Sequence, residues 1–162
     1  MARPVPKLAE TAAALLGHLQ TEVPALVLAE GLDAILTWTV GHPIKLLQDG
    51  TIVPIIGVDY VGMGSAGLDV DHTSIGGGQR YIYRMQIFVL LKAKGTTAQQ
   101  ANAARYAALI KEVLDDHVDD ATVPYCRGLV SGGVVMTFYT PGGKSMLADG
   151  ALWNWDARSP IS

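Results

Sequence analysis

The sequence predicts an α+β domain in which a small, mostly antiparallel β-sheet packs against a long helix. Three observations lead to this fold class. The segment Tyr81–Lys94 has the alternation of a strand, with an apolar residue at every odd position. After Gly95, the alanine-rich segment Thr97–His117 carries apolar residues at helical spacing. Further runs of β-branched residues, within 51–62 and 122–140, supply neighbouring strands.

The central strand has two unlike faces. Because successive strand side chains point to opposite sides, the odd positions form a core face. The even positions mix Arg84 and Gln86 with Phe88, and we expect a partner chain to cover the middle of this second face. At the start of the helix, Thr96 lies three residues before Gln99, which is the spacing of a capping box.

Two helices and one strand are predicted before the central strand. Lys7–Gln20 has leucines and alanines on one stripe, which is typical of an amphipathic helix. A second apolar segment predicts a helix from about Pro24 to Leu36, with Gly31 as an interruption. The strand Thr51–Gly62 follows, and Pro54 near its start indicates a sheet edge or a bulge.

A long glycine-rich connection, residues 62–79, joins this strand to the central one. It contains too many glycines to hold one regular element, and it is longer than most connections inside compact domains. We therefore predict a β-hairpin with a long projecting tip that reaches a neighbouring subunit.

Two more strands and a tail are predicted after the long helix. The strands are Thr122–Leu129 and Gly133–Thr140, joined by a Ser-Gly-Gly turn. Residues Lys144–Ser162 show no clear period. Trp153 and Trp155 in this tail need an apolar partner, which is either the domain's own sheet or another chain.

Size and composition indicate one domain that assembles with others. The 162 residues divide into an N-terminal helical segment (1–50), an α+β core (51–140) and a C-terminal tail (141–162). Apolar residues make up 49% of the chain and charged residues only 17%. That charge content is low for the surface of a small monomer, so we expect part of the surface to be buried against other subunits.

Other function classes are disfavoured by the same composition. The net charge is −3 and the basic residues are scattered, so no sequence-specific contact with nucleic acid is expected. No apolar run approaches the roughly 20 residues that span a bilayer, and the N-terminus lacks the pattern of a signal peptide. We expect a cytosolic origin and no membrane contact. The lone Cys126 excludes an internal disulfide.

One cluster could carry chemistry. Asp69, Asp71 and His72 lie within four residues and could bind a cation or transfer protons. Alternating oxygen ligands occur in calcium loops, but the other ligands of such a loop, including its closing Glu, are missing. We interpret these residues as polar groups that keep the tip soluble, and we predict no catalytic residue, no metal and no cofactor.

The order of elements resembles a known family. A strand near Tyr60, a long loop, the strand segment Arg80–Val89 with its arginines, the helix Thr97–His117 and C-terminal strands follow one another over most of 52–140. This order resembles the tail terminator or tail-completion proteins of long-tailed bacteriophages and, more loosely, the neck proteins that join tail to head.

The resemblance implies a structural virion protein of the tail or neck, assembled in the cytoplasm of the bacterial host, and not an enzyme. It implies a ring, usually a hexamer, that stacks on the tail tube protein, meets the connector or neck proteins and lets DNA pass through its lumen. We expect the sheet to line this lumen. The expected interface residues are Asp69, Asp71, His72 and Ile75 of the tip, together with Arg84, Phe88, Trp153 and Trp155.

Three alternatives stay open. The chain could be a head-closure or connector subunit or a tail tube subunit, because a small sheet with a packed helix can build all of these. It could be a small metal-dependent enzyme that uses Asp69, Asp71 and His72. It could also be an adaptor that binds one partner by strand addition at the Pro54 edge.

Overall fold

The computed structural model of the chain describes residues 8–60, 67–72, 79–117 and 127–158. The elements within these ranges are α1 (Leu8–Ala29), β1 (Thr37–Val40), α2 (Pro43–Gln48), β2 (Ile55–Asp59), β3 (Gly67–His72), β4 (Gln79–Lys92), α3 (Thr97–His117), β5 (Arg127–Tyr139) and β6 (Met146–Arg158).

The strands form one six-stranded sheet in the order β1-β2-β4-β6-β5, and β3 pairs with β4 beside this path. The pair β1–β2 is parallel and the other pairs are antiparallel. β2 pairs with residues 86–90 of β4 and β3 with residues 79–84, so these two short strands lie in line along the same edge of β4. The predicted α+β class is confirmed.

The predicted strand–helix unit is present as β4 and α3. The backbone amide of Gln99 donates to the hydroxyl of Thr96 at 3.2 Å, which confirms the predicted cap. The side-chain amide of Gln99 donates to the carbonyl of Lys92 at 2.8 Å. The Gln99 side chain therefore connects the first turn of α3 to the end of β4. In the predicted capping box, this side chain would instead have bonded the backbone amide of Thr96.

Each face of β4 is buried in a separate apolar core. The odd-numbered Met85, Ile87 and Val89 pack under α1 and α3. The even-numbered Phe88 and Leu90 are also fully buried, against residues of α2 and against Phe138 of β5 and Ala148 of β6. This corrects the expectation that a partner chain covers the middle of the second face, because the chain's own elements cover it.

The N-terminal segment is one helix where two were predicted. α1 runs through Pro24, and residues 30–36 are not helical. A proline inside a helix costs about 3 kcal/mol, but Leu15, Leu19, Val23 and Val27 continue one buried stripe across it. Burial of each such side chain is worth about 1.5–3 kcal/mol, so the stripe outweighs the proline.

A glycine cap ends α1. The amide of Gly31 donates to the carbonyl of Leu28, and the amide of Leu32 donates to that of Val27. These two bonds form a Schellman motif, in which Gly31 adopts a φ of +67°. The chain then enters β1, which was not predicted.

By length and composition α1 could cross a membrane, since it has 22 residues and a mean hydropathy of 1.3 over its most apolar stretch. The helix is not one apolar run, since Glu10 and Glu22 lie within it, and the expectation of no membrane contact stays a prediction. The buried stripe of α1 packs on the sheet and α3.

The C-terminal segment is also different from the prediction. β5 is one strand through residues 131–133, with a bulge between Ser131 and Val134 where a turn was expected. β6 pairs with both β4 and β5, so the predicted tail is a central strand of the sheet. Trp153 and Trp155 are buried on it, and the domain's own sheet and helices are their partner.

Small residues let β6 lie close to β4. An added Cβ at Gly150 would stand 2.0 Å from the carbonyl oxygen of Val89, a distance that no real side chain tolerates. Ala148 and Ala151 flank this position and are fully buried. A central strand with small or apolar residues on both faces has no amphipathic period, which explains why the sequence pattern did not indicate it.

Candidate functional site

The two ends of the sheet expose apolar side chains. Large exposed hydrophobic residues among the described ones fall into two groups of four. One group belongs to β1 or to segments next to it and the other to β5 and the start of β6: Leu28, Leu36, Val40 and Ile52 in the first, and Val134, Val135, Tyr139 and Met146 in the second. We call these the β1 end and the β5 end.

The β1 end is a short strand with flanking loops. The hydroxyl of Thr37 donates to the carbonyl of Ile52 at 2.8 Å, which fixes the loop before β2 against β1. Leu36 is 62% exposed and Ile52 is 67% exposed. The carbonyl of Pro54 accepts from the amides of Leu36 and Thr37. β2 therefore lies between β1 and β4, and the predicted free edge at Pro54 is wrong.

The β5 end is a long strand. β5 spans 13 residues and pairs only with β6 among the described strands, so its outer backbone groups face away from the sheet. Val134 is 60% exposed, and Tyr139 pairs in register with Met146. Long apolar edge strands are favoured sites for pairing with another chain.

A cavity of about 510 Å³ lies beside the β1 end. Its walls are the loop 31–36, the Val53–Pro54 peptide, the end of β4 and the first turns of α3. Leu32, Leu36 and Leu91 give it an apolar lining, while side chains of α3 contribute polar groups. Volumes of 300–1,000 Å³ with this mixed lining are typical of ligand sites.

Hydrogen bonds hold the polar wall of the cavity in place. The phenol of Tyr106 donates to the carbonyl of Asp33 at 2.5 Å. Burial and the nearby carboxylate of Asp33 raise the pKa of Tyr106 to about 12, so this donor keeps its proton at neutral pH. The side-chain amide of Asn102 donates to Gln99 at 3.3 Å. The wall is therefore fixed before anything binds.

Three cations line the cavity: Lys92, Lys94 and Arg105. Arg105 donates to the carbonyl of Glu30 at 2.6 Å and lies 3.5 Å from the Glu30 carboxylate. Both lysines are exposed. Asp33 is the acidic residue of the lining, so the cavity favours a negatively charged ligand.

A buried carboxylate fixes the position of Lys94. Asp149 on β6 is fully buried and accepts from the backbone amides of Lys94 at 2.8 Å and Gly95 at 3.0 Å. The hydroxyl of Thr137 on β5 donates to its other oxygen at 2.9 Å. Burial acts to raise the pKa of Asp149, but these three hydrogen bonds outweigh it and hold that pKa below its ordinary value. Asp149 thus links the cavity rim to the β5 end.

The predicted tip residues fall partly on a strand. Asp69, Asp71 and His72 belong to β3, and their backbones lie opposite Ile82, Arg80 and Gln79 of β4. A regular strand therefore occupies part of the stretch that was predicted to be irregular. Ile75, the rest of the predicted tip at 62–66 and 73–78, and Cys126 lie outside the described residues.

The other predicted interface residues lie on β4 and β6. Phe88, Trp153 and Trp155 are at most 2% exposed. They face the chain's own cores, which corrects their assignment to a contact with a neighbouring subunit. Arg84 is half-buried on β4 and stays a candidate.

Sequence patterns alone did not indicate the cavity or the Asp149 bonds. The cavity is lined by residues that lie up to 75 positions apart, from Gly31 to Tyr106. Such a site has no local motif. The lysines Lys92 and Lys94 at a strand end were a local signal, and alternation placed them on the mixed second face of the strand.

The fold and these surfaces define an α+β domain whose central strands are buried and whose β1 end and β5 end expose apolar side chains. Comparison with known proteins adds no relative: the sequence matches no protein-family model and no curated protein. Among the described side chains, no group of three or more His, Cys, Asp or Glu is placed to hold a metal ion.

Proposed function

We propose that this protein is a structural subunit of a ring at the head-proximal end of a phage tail, where it joins the tail tube to the neck. The observation that carries this proposal is the division of the exposed apolar residues into the β1 end and the β5 end. The assignment of this ring to a phage tail is inferred from the resemblance in element order to tail terminator and tail-completion proteins.

The presence of two different exposed apolar surfaces on one subunit supports a ring. A head-to-tail interface joins different surfaces of neighbouring copies, and it closes into a ring when the rotation between copies permits. A two-fold dimer would need only one self-complementary surface. The β1 end has a four-residue strand with loops and the β5 end a 13-residue strand, so they are different surfaces.

The low charge of the chain agrees with this arrangement. Charged residues are depleted at the cores of protein interfaces, and only 17% of this chain is charged. The predicted tip at 62–79, which includes β3, is the segment proposed to reach the tube or the adjacent subunit.

Native mass spectrometry and electron microscopy of the purified full chain test the proposal. We expect a closed ring, alone or after addition of tail tube protein from the same phage. A ring that caps the tube end supports a terminator, and continuous stacking would identify a tube subunit. A chain that stays monomeric at every concentration, with and without tube protein, contradicts the proposal.

A further inference from the structure

Lys92 and Lys94 are two cations at the rim of the cavity. Neither ammonium group has a carboxylate partner among the described side chains, whereas Arg105 is held by Glu30. The lining contains these three cations and one acidic residue, Asp33. An anion that enters the cavity would therefore meet two ammonium groups that have no carboxylate partner among the described side chains, beside an apolar lining.

The chain itself contains a segment with the complementary chemistry. Residues Asp115–Asp120 hold four carboxylates in six positions, with Val118 between the two acidic pairs. Asp115 is paired with Lys111, and no other Lys or Arg occurs between that lysine and Arg127. These acids lie at and after the C-terminus of α3, where the helix dipole disfavours negative charge, so they gain from a cation supplied by another chain.

Within one chain the described start of the acidic segment lies far from the cavity. The cavity is lined by the first turns of α3, and the segment begins near the other end of this 21-residue helix, which at 1.5 Å per residue is about 31 Å long. The segment leads into β5 at Arg127, in line with Ile82 of β4. Ile82 is ten residues from Lys92, or about 33 Å along the strand.

We propose that the cavity is the docking site for the acidic segment 115–120 of the next copy in the ring. This inference rests on the proposed ring and names one of its contacts. The carboxylates of the segment pair with Lys92 and Lys94 at the rim, and Val118 enters the apolar part beside Leu32 and Leu36.

A charge-swap experiment tests the contact. The double variant Lys92→Glu/Lys94→Glu is expected to weaken self-association about tenfold, because it removes two ion pairs and places like charges opposite each other. The double variant Asp119→Lys/Asp120→Lys is expected to do the same. The chain that carries all four substitutions is complementary again and is expected to recover the oligomer, as measured by native mass spectrometry and sedimentation.

Lys45→Glu is the matched control for the change in net charge. Lys45 is on α2, its side chain is 75% exposed, and it does not line the cavity. Compared with Lys92→Glu alone, it changes the net charge equally and should leave association unchanged. Thermal unfolding of each variant verifies that the fold is intact, since exposed lysines away from the cores contribute little to stability.

A peptide experiment tests the site without the ring. A capped peptide with the sequence of residues 113–121 is expected to bind the full chain saturably and to shift the amide resonances of Asn102 and Tyr106. The same peptide with its four Asp residues changed to Asn should bind at least about tenfold more weakly. Inorganic phosphate at equal ionic strength should not displace the acidic peptide; displacement would identify the cavity as a general site for small anions and overturn the docking assignment.

The two proposals fail in different ways. A ring whose stability is unchanged by both double variants, together with a peptide that does not bind, overturns the docking inference and leaves the ring intact. A wild-type chain that forms no ring under any condition contradicts the proposed function, whatever the peptide does.

Discussion

Large apolar side chains are buried in the middle of the sheet and exposed at its two ends. On β4 and β6, Phe88, Trp153 and Trp155 are at most 2% exposed. On β5, Val134 is 60% exposed, and Leu36 beside β1 is 62% exposed. Apolar content therefore does not separate the residues that fold this chain from those proposed to assemble it; their position across the sheet does.

The difference has a structural cause. α1 and α3 cover one face of the central strands, and α2 packs on the other face, where Phe138 of β5 and Ala148 of β6 join the second core. Among the described strands, none pairs with the outer edge of β1 or of β5. Substitutions in the middle should therefore act on stability, and substitutions at the ends should act on association.

The largest effect is expected for Trp155→Ala. Trp155 is fully buried on β6 under the helices, and removal of a buried aromatic ring costs about 3–5 kcal/mol of the free energy of unfolding. Such a loss is a large part of the stability of a domain of this size. Urea unfolding followed by circular dichroism measures it.

Trp155→Phe is the control for this variant. The indole N–H of Trp155 has no hydrogen-bond partner among the described residues, so phenylalanine removes only part of the ring volume and an unsatisfied donor. We expect a loss clearly smaller than that of alanine. Equal losses for the two variants would show that the ring is not packed as described.

An intermediate effect is expected for Asp149→Asn. The substitution replaces a carboxylate that accepts three hydrogen bonds with an amide that can accept fewer, and hydrogen bonds to charged groups contribute about 1.5–3 kcal/mol. We expect a loss of about 2 kcal/mol in the free energy of unfolding at pH 7. Because Asp149 contacts the amide of Lys94, the variant should also weaken association.

The pH dependence of this loss identifies its origin. The pKa of Asp149 is lower in the folded chain than its ordinary value of 3.8, so ionisation stabilises the fold above that value. As the pH falls from about 5 through the lowered pKa, the wild type loses this stabilisation, whereas the Asn variant has none to lose. The difference between the two should therefore shrink on acidification. A constant difference from pH 7 to pH 3 would contradict the role of the charge.

The sequence predicted the elements whose signals are local. β4 and α3 follow from alternation, a helical stripe and the Thr96 cap, all of which lie within neighbouring residues. The α+β class follows from this pair. In the sequence, the second core at Phe88 showed only as an apolar residue among the polar residues of the even positions. The helix that packs on it, α2, lies about 40 residues earlier in the chain.

The elements that were predicted wrongly are those decided by tertiary packing. Pro24 suggested a helix start, yet a buried stripe carries α1 through it. β6 had no period because the consecutive residues 148–151 are all buried, so both faces are covered in the middle of the strand. A strand with buried residues on both faces and an apolar C-terminal tail have similar sequence patterns. The tryptophans on β6 were therefore predicted to contact another chain.

The smallest effects on stability are expected at the two ends. Leu36→Gln at the β1 end and Val135→Thr at the β5 end change exposed side chains, so each should alter the free energy of unfolding by no more than about 0.5 kcal/mol. Each should nevertheless weaken the oligomer, and a double-mutant cycle on oligomer dissociation shows whether the two ends touch. If the β1 end of one copy meets the β5 end of the next, the two effects are coupled; strictly additive effects would place the residues in separate contacts and break the head-to-tail arrangement.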